Sequence, residues 1–191
     1  MAIEVDLKKA YDKIEWSFIR EVLINTNFLQ NVISLIMSCV SSVSTSFLFN
    51  GGNMEPILPL RGIRQGDPLL PYLFILCMEA LSYFIEEKCK TKSWIPVKSS
   101  NNGVAVSHLF FADDLVLFAK ADHVNCSTIW DVLDDFCARS SQSISESKSR
   151  VFFSPNVDVD TRESLCDILG FSFNPKPRKI SWFSHKAPWD H

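Results

Sequence analysis

His108-Leu-Phe-Phe-Ala-Asp-Asp-Leu-Val-Leu-Phe118 places two adjacent aspartates, Asp113 and Asp114, between two apolar runs of strand-forming residues. The pattern predicts a β-hairpin with two carboxylates at its tip. Paired negative charge there raises the local energy unless a cation offsets it, most simply a divalent metal ion. Aspartate is equally a common turn residue, so the pair alone leaves turn chemistry and metal binding both open.

Working outward from this hairpin, Lys92 to Gly103 reads as a polar loop, and a helix runs from Pro71 to Lys90 with Leu73, Phe74, Cys77, Met78, Leu81, Phe84 and Ile85 on one face. A loop rich in Pro, Gly and Arg, Pro59 to Pro71, precedes it. Before that, Asn50-Gly51-Gly52 predicts a hairpin turn between strands over Val43–Phe49 and Met54–Leu58. Apolar residues at helical spacing predict two helices that start near Asp12 or Ser17 and break around Asn25 to Asn27. The chain opens on a short strand over Ala2–Leu7. Downstream, a helix is predicted over Val124–Arg139 and a strand over Val151–Ser154. After Gly170, Pro175, Pro177 and Pro188 lie among Lys, Arg, His and Trp without periodicity. This order predicts an α+β fold, an antiparallel sheet packed on one side by helices.

The 191 residues suit one domain or a truncated piece of a larger one, and 47% hydrophobic content with 15 Phe is enough for a sizeable core. The longest apolar stretch, Leu69 to Ile85, is broken by Pro71 and Glu79, so no membrane partner is expected. Six cysteines without CxxC spacing and no apolar leader point to reduced thiols and to an intracellular protein, nuclear or cytoplasmic. A net charge of −3 and a pI near 5.8 count against a dedicated nucleic-acid binder, although a cluster of catalytic carboxylates would itself pull the balance that way.

Asp6 sits on the first strand with Val5 and Leu7 facing the other way. If that strand pairs beside the aspartate hairpin, three carboxylates converge at one sheet edge and can hold two divalent ions, the clamp used for in-line attack at phosphorus. Mg²⁺ suits such hard oxygen ligands. Asp6 alone reads as well as a solvent-facing charge. The segment Pro59-Leu-Arg-Gly-Ile-Arg-Gln-Gly-Asp-Pro-Leu-Leu-Pro-Tyr-Leu-Phe74 brings Arg61, Arg64 and Gln65 to a helix N-terminus, which suits an anion, although an ordinary capping loop reads the same.

Four ordered blocks carry a resemblance. Asp6-Leu-Lys-Lys-Ala-Tyr-Asp12 with Glu15-Trp-Ser-Phe18, Arg61-Gly-Ile-Arg-Gln-Gly-Asp-Pro-Leu69 with Pro71-Tyr-Leu-Phe74, Phe111-Ala-Asp-Asp114, and Ser147-Lys-Ser149 leading into Val151-Phe-Phe-Ser-Pro155 resemble the palm motifs of reverse transcriptases from plant non-LTR (LINE-type) retrotransposons. The resemblance spans about residues 1–171 and implies a partial palm domain there, with 172–191 a divergent tail read as disordered and with fingers and thumb largely missing. It implies an RNA-directed DNA polymerase working with an RNA template, a DNA primer and dNTP, with Mg²⁺, or Mn²⁺ in its place. Asp6, Asp113 and Asp114 would hold the metal, with the Leu7 carbonyl as an extra ligand. Tyr11 would exclude a ribose 2′-OH. Arg61, Arg64, Gln65 and Gly66 would contact the incoming nucleotide and template, and Lys148 would protonate departing pyrophosphate or be no more than a solvated lysine. Two departures stand out: Leu70 where the family usually has Ser, and Ser141-Gln142 without the Gly that commonly precedes the Gln. The short chain is expected to be inactive or weak by itself. A non-catalytic retroelement remnant and a domesticated nucleic-acid-binding module are the alternatives.

Overall fold

The computed structural model describes residues 1–174 apart from Gln65, Asp67, Ala112 and 99–102. Its first strand, β1 (Ala2–Asp6), alternates as its sequence does: Ile3 and Val5 are buried, with Glu4 and Asp6 on the other face. A one-turn helix α1 (Ala10–Lys13) follows, then α2 (Trp16–Asn25) and α3 (Gln30–Ser41), broken at Asn27, which takes a positive φ of 60°. Helix α2 starts at Trp16, one residue before the predicted Ser17.

The Asn50-Gly51 turn forms as expected, with φ of 50° and 81° matching the mirror-image hairpin turn. Its arms are shorter than predicted: β2 (Leu48–Phe49) pairs with β3 (Gly52–Asn53), and beyond them one bridge joins Thr45 to Ile57. Helix α4 (Leu70–Lys90) has Pro71 in its first turn. The stretch read as a polar loop holds Trp94, fully buried, whose indole N–H donates to the Phe118 carbonyl at 2.9 Å. It also holds β4 (Val97–Lys98), which pairs with β5 (Ala105–Val106).

The aspartate hairpin is β6 (His108–Phe111) and β7 (Asp114–Phe118). Helix α5 (His123–Ser140) is capped by the Asp122 carboxylate, which accepts from the Asn125 N–H. Strand β8 (Arg150–Phe152) is followed by α6 (Val159–Leu169), which the sequence reading missed. Gly170 ends α6 with φ of 67°.

Five strands form the main sheet in the order β6-β7-β1-β8-β9, where β9 is Ser172–Phe173. The sheet is antiparallel except that β9 runs parallel to β8. Ser172 and Phe173 were assigned to a disordered tail, so that boundary is corrected: they complete the sheet, and residues 175–191 lie outside the described residues. Ile3, Val5, Leu115, Leu117 and Val151 form one core with Phe18, Leu23, Leu81, Ile85, Ile129, Phe136 and Leu165 of the four helices α2, α4, α5 and α6. The helices thus cover one face of the sheet, and Glu4 and Asp6 lie on the other. Among the described residues no helix is long and apolar enough to cross a membrane, and all six cysteines are free thiols.

Candidate active site

Strand register brings the first and third sequence blocks together. Asp6 stands directly opposite Asp114 in the β1–β7 pair, and Asp113 lies in the turn beside it. The hydrogen-bond pattern fixes how these residues face. The Asp6 carbonyl accepts from the Ser145 N–H at 2.8 Å, and the Lys8 N–H donates to the Ser143 carbonyl at 2.8 Å. Both bonds lie on the side of β1 away from the hairpin. Asp6 and Asp114 therefore form a pair of the narrow, non-hydrogen-bonded kind, with Cα atoms about 4.5 Å apart and side chains on the same face. Leu7, paired with Ile144 in the same pattern, turns its own carbonyl toward the hairpin turn. The carboxylates thus converge at the end of a central strand, β1, and not at a sheet edge.

Like charge facing like charge has a measurable consequence. The Asp114 carboxyl is pushed above its usual range, first by desolvation and then by the charges of Asp113 and Asp6. Lys148 faces Asp6, its Nζ lying 3.7 Å from Asp6 Oδ1. Among the described residues no group of three or more His, Cys, Asp or Glu side chains is placed to hold a metal ion by itself. The donors present are all hard oxygens, and they repel each other. That set fits a divalent ion whose shell is completed by water.

Tyr11 joins this site from α1. Its ring centroid is 4.4 Å from that of Phe74, and desolvation, with Asp113 adding to it, raises its hydroxyl pKa. The second sequence block is fastened beside it. The Ile63 N–H donates to the Tyr11 carbonyl at 2.9 Å, the Gly62 N–H to the Ile14 carbonyl at 2.8 Å, and the Trp16 indole to the Gly62 carbonyl at 2.8 Å. Gly62 is obligatory here: its φ is +82°, and a Cβ would lie 2.5 Å from the Asp12 carbonyl oxygen. Arg61 is engaged by Glu15 at 3.8 Å. With the exposed Arg64 it lines a cleft shared with Asp12, Gly62, Leu69 and Leu73. Gly66 takes a φ of +92°, and Gln65 lies outside the described residues.

The sequence reading missed the residues that hold Asp6 in place. β8 pairs with β1 only as far as Glu4, so the Asp6 N–H has no strand partner. The fully buried Ser149 hydroxyl takes that role, accepting from the Asp6 N–H at 3.1 Å. Further along, the Gln142 side chain donates to the Ala10 carbonyl at 2.7 Å, and Lys13 Nζ donates to Ser143 Oγ at 2.5 Å. The alternating serines at 141, 143, 145, 147 and 149 were the available signal.

The chain is similar to known proteins in sequence and in fold. The family described as reverse transcriptase (RNA-dependent DNA polymerase) matches residues 1–180. An uncharacterized mitochondrial protein of Arabidopsis thaliana is 46% identical over 68 residues, 36% of this chain and 56% of that one. The Pol polyprotein of the type-2 retrotransposable element R2DM of Drosophila melanogaster is 31% identical over 116 residues, 61% of this chain and 10% of that one. The transposon TX1 149 kDa protein of Xenopus laevis is 24% identical over 182 residues, 95% of this chain and 13% of that one. The chain thus spans about half the length of the first of these relatives and about a tenth of the other two. Among solved structures, telomerase from Candida albicans, in complex with a fragment of telomeric RNA, superposes with a TM-score of 0.61 at 14% identity, covering 82% of this chain and 27% of that one. Telomerase from Candida tropicalis gives 0.59 at 14% identity, covering 78% of this chain and 29% of that one. These two likenesses establish the fold.

Proposed function

The chain belongs to the reverse transcriptase (RNA-dependent DNA polymerase) family, and on that footing we propose that Asp6, Asp113 and Asp114 are the metal-holding carboxylates of a palm-type nucleotidyl-transfer site. The substrates of that site are a dNTP and a DNA primer on an RNA template, and the source is a plant LINE-type element. The single observation that carries this reading is the Asp6–Asp114 register, with Asp113 in the adjoining turn. Divalent ions, Mg²⁺ or Mn²⁺, would supply activation of the primer 3′-hydroxyl and charge stabilisation at the α-phosphate. The chain's own residues set the geometry. Asp6 and Asp114 present oxygens from one sheet face, and the Leu7 carbonyl adds another from the side of the hairpin. Tyr11, backed by Phe74, offers a fixed ring edge against which a ribose 2′-OH would clash. Arg61, Arg64, Gln65 and Gly66 are the residues assigned to the nucleotide and template. Lys148 is placed to deliver a proton to departing pyrophosphate.

Mn²⁺ binding to the 191-residue chain, read by the loss of free-ion EPR signal, tests the proposal without requiring turnover. The wild type is expected to bind, and the Asp6→Asn/Asp114→Asn double variant not to. Equal binding by the two proteins would sink the assignment. Mg²⁺-dependent dNTP incorporation on a primed RNA template, where it is detected, is expected to disappear with Asp113→Asn.

A further inference from the structure

The cleft that contains Asp6 and Asp114 does not stop at the carboxylates. On the same open face of the sheet it runs past Glu4 to Ser147, Lys148, Arg150 and Asn174, enclosing about 560 Å³. Arg150 opens β8 directly opposite Glu4 in the β1–β8 pair. Asp6 is two residues further along β1, roughly 7 Å away, a distance comparable to the spacing of successive phosphates in an extended polynucleotide.

The state of the Arg150 guanidinium is informative. Among the described residues one of its five N–H donors is spent, Nη1 donating to the Ser149 carbonyl at 2.7 Å. Glu4 faces it across the strands, yet among the described residues no carboxylate approaches within ion-pair distance. Arg150 is half-buried, so the sheet fixes its stem while its planar fork stays available. Ser147 and Asn174 line the same end with a hydroxyl and an amide. This donor set suits an oxyanion held bidentately, a carboxylate or a phosphate, and the neighbouring nucleotidyl-transfer site proposed above makes phosphate the one at hand.

We infer that Arg150, with Ser147 and Asn174, forms a phosphate subsite adjoining the carboxylates Asp6 and Asp114. The inference rests on the proposed function for the source of the phosphate, which is either the departing pyrophosphate or a backbone phosphate of the polynucleotide. The charges around the cleft give the subsite a condition. Glu4, Asp6 and Asp114 outnumber Lys148 and Arg150 by one, so the cleft repels anions until a divalent ion sits at the carboxylates, which makes its net charge positive. Phosphate binding at Arg150 is therefore coupled to metal.

Isothermal titration of the 191-residue chain with inorganic pyrophosphate, with and without Mg²⁺, tests this alongside fluorescence anisotropy of a labelled single-stranded DNA over a salt series. The variants are Arg150→Gln and Arg150→Lys, with unchanged thermal melts as the control for folding. If pyrophosphate is the ligand, Arg150→Gln weakens its Mg²⁺-dependent binding about tenfold, and Arg150→Lys recovers only part because it lacks the fork. If a backbone phosphate is the ligand, Arg150→Gln lowers the log–log salt slope for DNA by about one and leaves pyrophosphate unchanged. Unchanged binding in both measurements overturns the subsite. The proposed function fails separately: a chain that binds phosphate through Arg150 equally with and without divalent ion, and takes up no Mn²⁺, keeps the subsite and loses both the coupling and the metal assignment.

Discussion

Asp114→Asn should stabilise the metal-free protein, an unusual outcome for the loss of a charged side chain at a proposed metal site. Asp6 and Asp114 face each other across a narrow strand pair, which puts their carboxylates roughly 5–6 Å apart. Two like charges at that distance repel by about 1–3 kcal/mol for effective dielectric constants between water and a protein surface. Asp114 is exposed, and Lys148 already offsets Asp6, so the lower end applies, about 1 kcal/mol. For a chain of this length that is a rise in Tm of about 2–4 °C. The pH dependence follows from the raised Asp114 pKa. The folded state holds the proton more tightly than the unfolded one, so ionisation costs stability as pH climbs from the ordinary carboxyl value of 3.8 through the raised one. At pH 7 the full penalty is present in the wild type and absent in the variant. Below 3.8 the two should melt together. Mg²⁺ then reverses the order, because an ion at ten times its dissociation constant stabilises the wild type by about 1.4 kcal/mol. Thermal melts in EDTA at pH 7 and at pH 3.5, then in Mg²⁺ at pH 7, read all three states. A variant less stable than wild type in EDTA at pH 7, or equal Mg²⁺ shifts in both proteins, would refute the reasoning.

Three further outcomes follow from single contacts. Ser149→Ala leaves the Asp6 N–H buried without an acceptor and should cost about 1–3 kcal/mol in urea denaturation, with faster amide exchange at Asp6; an unchanged exchange rate would contradict the contact. Ser141→Gly should stabilise by about 0.5–1 kcal/mol, because Ser141 ends α5 with a positive φ of 57°; a lowered Tm would show that its conformation carries no strain. Gly62→Ala combines a forbidden φ with a Cβ driven into the Asp12 backbone and should cost about 2–3 kcal/mol. It should also shift the emission of Trp16, whose indole bonds to the Gly62 carbonyl; wild-type stability and emission together would count against that packing.

What the sequence made legible was whatever depends on period or on a local turn. β1, α4, α5 and the aspartate hairpin follow from alternation, a helical stripe and an Asp-Asp turn, each specified by its own residues. The departure at Ser141 was also visible, and the structure gives it a physical meaning: a left-handed helix end where the family's glycine would sit without strain. Elements whose stability comes from elsewhere were not legible. β9 is two residues long and exists because β8 offers an edge. Trp94 looked like part of a polar loop because its burial is supplied by neighbouring elements, including the Phe118 carbonyl that accepts from its indole.

The site itself shows the same division. Asp6 and Asp114 were readable as candidates because carboxylates on strands are conspicuous, but their facing each other is a matter of register. Register depends on which residues of β1 bond to which side. That choice is made along Ala2–Glu4, which pair with β7 on one side and β8 on the other, and the segment at 143–149 carries it on to Asp6, its backbone and the Ser149 hydroxyl taking up the carbonyl and N–H of Asp6. A serine acting as a surrogate strand partner looks, in sequence, like any serine in a polar loop, because a hydroxyl satisfies water and a backbone amide equally well. The polar segment next to Lys148 is therefore structural in the strict sense. Without it the N–H and carbonyl of Asp6 would lose their partners, and the end of β1 that holds Asp6 opposite Asp114 would fray.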